Sequence, residues 1–331
     1  METKMFKNLS KLALAISLSV MGASGAVAAD ATADYPSKPI KMYIGFSAGS
    51  ATDIVGRVIA EGLAKRLNQP VVVENKVGAG GSIAAQDTAR APRDGYTLLT
   101  VSSAIAVNPA VYLSAGDVID KLQPIALIGY LPTVLMASSK LPVNTAQEFI
   151  AYAKKNPGIV NFGSSGIGGS THMAMEALSS ATGTKLVHIP YKGNGQASAA
   201  LLGNQIDAMI ETILLAAPVI TSNRAKGLAI SGKKRSPLIP NVPTFSEAGI
   251  PEYDRSLFFG VMAPAGLPAG LVEKLNKEIN LVLKDPAIRE RLTQAGGLTL
   301  QEGSAEDFKK TLEEEVALWK RVAAGAGIKP Q

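Results

Sequence analysis

Gly45-Phe46-Ser47-Ala48-Gly49 has the Gly-x-Ser-x-Gly spacing of a hydrolase nucleophile elbow, and it lies between a strand pattern and a helix pattern. A serine so placed needs an acid later in the chain and a histidine after that acid. It also borrows an oxyanion N–H from the loop of an earlier strand. The only histidines are His172 and His188, and neither sits near the C-terminus in a loop after a late strand. Very little chain precedes the first strand to supply the oxyanion donor. The histidines have no cysteine and no helix-spaced second histidine beside them, so no metal site is expected. Gly163-Ser-Ser-Gly-Ile-Gly-Gly-Ser170 lacks the Gly-Lys-Ser/Thr ending of a P-loop. Thr171 stands where a dinucleotide fingerprint started at Gly166-Ile-Gly168 needs its third glycine. No cofactor is expected, and hydrolysis is the enzymatic alternative to a binding role.

What remains is a set of turns rich in Gly and Ser: Phe46 to Asp53, Ser102-Ser103, Gly163 to Ser170, and Gly193-Asn194-Gly195. Open α/β sheets bind ligands outside the carboxyl ends of their strands. Helix N-termini there offer free N–H groups and a partial positive charge to an anion. Small residues let a carboxylate approach the backbone, and hydroxyls add donors. Any one such loop reads as an ordinary tight turn. Two of them, in different parts of the chain, point to a shared anion-binding cleft.

The elements that would position these loops follow from the alternation of short β-branched runs with helical patterns, the mark of an α/β protein with parallel sheets. Strands are expected at Pro39–Phe46, Val71–Val73, Thr97–Val101, Val160–Phe162, Leu186–Ile189, Asp207–Ile210, Gly227–Ser231 and Leu257–Ala263. Helices are expected at Asp53–Leu67, Ala146–Asn156, Thr171–Gly183, Gln196–Gly203, Ala216–Ser222, Ala269–Leu283, Pro286–Ala295 and Ala305–Ala324. A long strand over Leu122–Ala137, interrupted at Gly129 and Pro132, reads as a crossing between lobes, and a Pro-rich passage from Ser236 to Pro251 reads as the lead-in to a return crossing. The first lobe would then comprise residues 30–133 and 255–331 and the second residues 134–254, with hinge crossings near 129–136 and 251–259.

Lys4, Lys7 and Lys11, the apolar run Leu12–Met21 and the small residues Ala26-Val27-Ala28 spell a cleavable export signal over residues 1–29. Its apolar core is shorter than the ~18 residues that span a bilayer, and the expected compartment is the periplasm. The chain has 331 residues and no cysteine, so its stability rests on its cores alone. Removing the signal takes three Lys and one Glu from a formal charge of +6, leaving a mild positive excess. That excess is spread out, with no basic run interleaved with aromatics, so no nucleic-acid partner is expected.

Several motifs closely resemble those of the Bug-type substrate-binding proteins of tripartite tricarboxylate transporters. They run from Tyr35-Pro-Ser-Lys-Pro-Ile through Phe46-Ser-Ala-Gly-Ser-Ala-Thr-Asp53, Gln69-Pro-Val-Val-Val-Glu-Asn-Lys-Val-Gly-Ala-Gly-Gly81 and Asp94-Gly-Tyr-Thr-Leu-Leu99. They continue with Phe162-Gly-Ser-Ser-Gly-Ile-Gly-Gly-Ser-Thr-His172, His188-Ile-Pro-Tyr-Lys-Gly193, Asn241-Val-Pro-Thr244 and Ala263-Pro-Ala-Gly266. The resemblance implies a two-lobed, type II Venus-flytrap fold, each lobe a mainly parallel sheet flanked by helices. It implies a monomer that captures a small di-, tri- or aromatic carboxylate and hands it to membrane transporter subunits. A ligand-presenting accessory of a membrane sensor kinase is the other binding role compatible with it. Carried over, the first-lobe contacts are Phe46, Ala48, Gly49, Ser50 and Asp53, with Ser102 and Ser103. Those of the second lobe are Ser164, Ser165, Ser170, Thr171 and His172, with Glu211 and Thr212 at the side of the cleft.

Asp53 is awkward beside an anion and reads better as a cap of the following helix. His172 is expected either to orient its loop or to touch ligand, and His188 to be a satisfied core or crossing residue. Three departures from the family pattern fall around the cleft. Ser50 replaces a common Gly, Glu211-Thr212 replaces Asp-Asn, and Phe258-Phe259 stand where a Trp is usual. Phe258 is expected either to line an apolar wall of the cleft or to pack in the core.

Overall fold

The computed structural model describes residues 34–112, 116–295 and 297–328, and the expected export signal lies outside them. Strand β1 (Ile40–Ile44) buries Ile40, Met42 and Ile44 while Lys41 faces solvent, the period-two signature of a strand covered on one side. The chain continues through α1 (Ala51–Leu67), β2 (Val71–Asn75), α2 (Ser82–Ala89), β3 (Thr97–Ser102), α3 (Ala104–Val111) and α4 (Gly116–Ile119). Only Pro132 separates β4 (Leu122–Leu131) from β5 (Thr133–Ala137). Then come α5 (Ala146–Lys155), β6 (Asn161–Ser164), α6 (Ser170–Thr182), β7 (Val187–Pro190), α7 (Asn194–Leu202), β8 (Ala208–Thr212), α8 (Ile213–Thr221) and β9 (Lys226–Ile230). A long irregular passage leads to β10 (Leu257–Pro264), α9 (Ala269–Lys284), α10 (Pro286–Glu290), β11 (Thr299–Leu300) and α11 (Ala305–Gly325).

The strands make two sheets, ordered β11-β4-β10-β3-β1-β2 and β7-β6-β8-β5-β9. Both are mixed, with most strands of each running one way and β10, β11 and β5 running against them. Neighbours joined by helical crossovers run parallel, as in β1–β2, β1–β3, β6–β7 and β6–β8. The strands that carry the chain from one sheet to the other run the opposite way. β10 is antiparallel to β3 and β4, and β5 is antiparallel to β8 and β9. The long strand anticipated over Leu122–Ala137 is thus two strands, one in each sheet.

Helix α3 was not anticipated. Nearly every residue in it is apolar and buried, and it contains Pro109, so no one-sided stripe announces it. The C-terminal helix α11 begins with a capping box, Ser304 and Asp307 each accepting the other's backbone N–H. It packs against α3 and β4 beside the first sheet and against α6 beside the second. Phe308, Leu312, Trp319 and Ala323 form its buried face. No helix among the described residues is long and apolar enough to cross a membrane.

Candidate functional site

The turn after β1 is held from beneath. Ser50 caps α1, its Oγ accepting the Asp53 N–H at 3.2 Å, so the cap assigned to Asp53 belongs to Ser50. Asp53 instead accepts from the Gly49 N–H at 3.0 Å, from Arg57 Nε at 3.0 Å and from Asn75 Nδ2 at 2.8 Å. Asn75 Nδ2 also donates to the Phe46 carbonyl at 2.9 Å. Burial would raise the Asp53 pKa, yet hydrogen bonds from Arg57, Asn75 and Gly49 outweigh it and hold the carboxyl below its ordinary value. Gly49 has φ +79°, a conformation that costs a side-chain-bearing residue energy. The carboxylate therefore fixes the loop from its inner side, and the awkwardness of an acid beside an anion is removed.

The turn after β6 is built differently. Gly169 is the N-cap of α6 and no side chain caps the helix, leaving its first N–H groups to other acceptors. The Ser165 N–H donates to Thr171 Oγ1 at 3.2 Å and the Gly168 N–H to His172 Nδ1 at 3.3 Å. His172 thus orients its loop. His188 shares a 2.6 Å hydrogen bond with Ser164 Oγ through Nε2. The two imidazoles stack with centroids 3.8 Å apart, and Phe162 lies 4.9 Å from His188. Burial, helped by the neighbouring His188, pushes His172 down to about 3, and burial alone takes His188 to about 4, so both rings are neutral at physiological pH.

Between the two turns lies a narrow cleft of about 40 Å³, room for a few water molecules. Of the residues anticipated there, Phe46, Ser50, Ser102, Ser165, Ser170, Thr171 and Thr212 line it. The others stand back. Ala48 and Gly49 are on the exposed outside of their turn. Ser103 bolts β3 to β10, its Oγ accepting the Phe258 N–H at 2.8 Å. Asp53, Ser164 and His172 brace the loops as described. Phe258 is fully buried, edge-on to Phe308. Strand alternation turns its neighbours Leu257 and Phe259 into the cleft instead. The apolar side chains at the cleft are thus one residue out of phase with the Phe258 of the sequence reading.

Ser47, Ala51, Thr52, Gly193 and Asn194 complete the lining. The sequence names Asn194 only within a turn, and Ser47 within a turn and the Gly-x-Ser-x-Gly pattern. Ser47 is not among the non-glycine residues with positive φ, and α1 begins at Ala51 rather than directly after the serine, so the strained elbow is not formed. One ring nitrogen of each histidine is engaged elsewhere, His188 Nε2 with Ser164 and His172 Nδ1 with Gly168. No lining residue carries a charge, so an anion there meets hydroxyls, an amide and helix N–H groups.

Glu211 lies behind this lining. Its Oε1 accepts from Asn194 Nδ2 at 2.9 Å and from the Thr212 N–H and Oγ1 at 2.6 and 3.0 Å. Thr171 Oγ1 donates in turn to Asn194 Oδ1 at 3.2 Å. Outside this lining, Tyr112 OH at the end of α3 donates to the Ile167 carbonyl of the turn after β6 at 2.6 Å. Gly168 lies so close that a Cβ there would come within 3.0 Å of the Tyr112 and Val111 side chains. Tyr112→Phe removes this clasp and should weaken ligand binding about five- to tenfold, the worth of roughly one net hydrogen bond. The melting temperature without ligand should stay nearly unchanged. Calorimetric titration and thermal denaturation of the same preparations check both halves.

Residues 55–328 match the sequence profile of the Tripartite tricarboxylate transporter family receptor. Protein BugT of Bordetella pertussis is 35% identical over 97% of this chain and 99% of its own. The solved periplasmic binding protein BugD superposes with a TM-score of 0.83 at 34% identity, over 90% of this chain and all of that one. The R. palustris protein Rpa4515, solved with adipate, gives 0.84 at 31% identity over 90% of this chain and all of its own. MatC from Rhodopseudomonas palustris, solved with bound malate, gives 0.78 at 30% identity over 87% of this chain and 99% of its own. The profile runs from within α1 through both sheets and the second cleft loop, the relatives extend over nearly the whole chain, and the chain belongs to the tripartite tricarboxylate transporter receptor family.

Proposed function

We propose that this protein is an exported, monomeric solute-binding protein of the periplasm that captures a small carboxylate and delivers it to a tripartite tricarboxylate-type membrane transporter. Residues 1–29 would be its signal, and two lobes, residues 30–133 with 255–331 and residues 134–254, would close about hinges near 129–136 and 251–259. The observation that carries this reading is the cleft itself. It joins an uncapped helix N-terminus to hydroxyls from both sheets, with no charged residue in its lining. Such a site holds an anion with fixed dipoles and gains contacts from both sides only when the two sides meet. Ligands of the relatives favour the same class, since Rpa4515 was solved with adipate and MatC with malate. The apolar wall of Phe46, Leu257 and Phe259 suits a hydrocarbon chain or ring behind the carboxylate. Binding rather than catalysis is the better reading because Ser47 has no histidine engaged with it.

The test is a thermal-shift screen of the mature protein against mono-, di-, tri- and aromatic carboxylates. A ligand present at a hundred times its Kd stabilises the native state by about 3 kcal/mol, a shift of several degrees. A complete panel that leaves the transition unmoved would refute the reading.

A further inference from the structure

Glu211 is a carboxyl group with no charge to balance it, placed one hydrogen bond behind a site for anions. It is 1% exposed. One oxygen, Oε1, is saturated by the three donors from Asn194 and Thr212. The other, Oε2, is buried without any hydrogen-bond partner. A buried carboxylate oxygen with no donor is costly, whereas a carboxylic acid bears its proton on the oxygen that is not already accepting. The arrangement therefore favours the acid with its proton on Oε2. Burial is the main cause that pushes this carboxyl up to about 7, against the opposing hydrogen bonds of Thr212 and Asn194.

No element packed closely on β8, among the described residues, brings a positive charge to it. Among the described residues, the elements packed against β8 are β5, β6, α6, α7 and α8, and only α6 brings titratable groups, His172 and Glu176. His172 is neutral, and so is His188 stacked on it from β7. Burial raises the pKa of Glu176 as well, so it adds no positive charge. Asn194 and Thr212 line the cleft and Glu211 does not, so an ammonium group on a ligand would not reach the carboxyl. A ligand carboxylate, however, would bring a negative charge close behind the same two side chains.

We propose that the protein binds its carboxylate ligand together with a proton, taken from solvent onto Oε2 of Glu211, and that it therefore favours acids without an amino group. The idea rests on the carboxylate-binding reading above. Glu211 acts as a positioning residue. In its acid form it holds Asn194 and Thr212 without opposing the anion, and in its ionised form it holds them while repelling the ligand. With the ligand in place the proton is bound more tightly than without it, so binding takes up protons and weakens as pH rises. If only the acid form binds, the Kd rises about tenfold for each pH unit above about 7, because the competent fraction falls by that factor.

Three measurements on the mature protein decide this. Infrared difference spectra of the free protein should show a protonated carboxyl band that titrates near pH 7 and is missing in Glu211→Gln. Calorimetry with adipate, malate and benzoate, in buffers of different ionisation heat, should show up to one proton taken up per ligand at pH 8. In Glu211→Gln the amide replaces the Oε2 proton permanently. Proton uptake and the slope of Kd between pH 6.5 and 8.5 should then vanish, whatever the affinity itself. An infrared band that does not titrate, binding with no proton change, or proton release on binding would each overturn the proposal. The wild-type infrared and calorimetric results decide it even if the variant does not fold. If the band titrates but no carboxylate binds, the carboxylate reading itself is the part that has failed, and the coupling falls with it.

Discussion

Asp53→Ala weakens ligand binding about a hundredfold and lowers the melting temperature by several degrees. The carboxylate is the common acceptor for the Gly49 N–H, Asn75 and Arg57, and Asn75 in turn holds the Phe46 carbonyl. Removing one partner of a fully buried ion pair costs about 3–5 kcal/mol. Here the Arg57 side chain is 48% exposed, so it regains water when released and that contribution shrinks to about 1 kcal/mol. The two orphaned donors add about 1 kcal/mol each. Affinity suffers because Phe46, Ser47 and Ser50 line the cleft from the turn that these bonds hold. A loop that must be ordered at the moment of binding subtracts that ordering cost from the binding energy. Asp53→Asn keeps an acceptor for Gly49 and should recover part of the affinity. Equal loss in both variants would show that charge, rather than loop geometry, is what matters.

Phe308→Ala has the largest expected effect on stability, about 4 kcal/mol by the usual cost of emptying a buried aromatic site. The ring is fully buried and meets Phe258 edge-on at 5.7 Å. It also covers the backbone of β10 at Gly260, where any Cβ would run into it. At roughly 2–4 °C per kcal/mol for a chain of this order, the melting temperature drops by about 10 °C. Because α11 touches elements beside both sheets, the loss should appear as one cooperative transition shifted downwards. Two separated transitions in calorimetry would contradict that role for the helix.

Most elements were legible because β-branched runs and helical stripes alternate along the chain. The cleft loops were legible because glycine and serine cluster at the ends of β1 and β6. Strand direction was not, since it depends on β4, β5 and β10 passing between sheets, a fact with no local signature. The Phe258-Phe259 pair hid the phase of its strand, because two adjacent aromatics satisfy a period of two either way. Ser50 and Asp53 have the spacing of a capping box, and that spacing would have assigned the cap to the serine. The histidine stack could not be foreseen from residues in a helix and an edge strand, where only the packed register brings rings together. Glu211 was noted as a departure at the side of the cleft, but its orphaned oxygen exists only in three dimensions.

Helix α11 has a consequence for how the protein is made. β4 and β10 lie side by side in the first sheet although more than a hundred residues separate them in sequence, and α11 then packs on β4 and sets Phe308 against Phe258 of β10. The segment that joins both halves of the molecule is thus made after every strand and helix it touches. Until it emerges the nascent chain cannot complete its tertiary structure, and domains generally fold as units. Closure of this kind makes the finished core wait on contacts far apart in sequence, which slows folding relative to a fold built from local contacts.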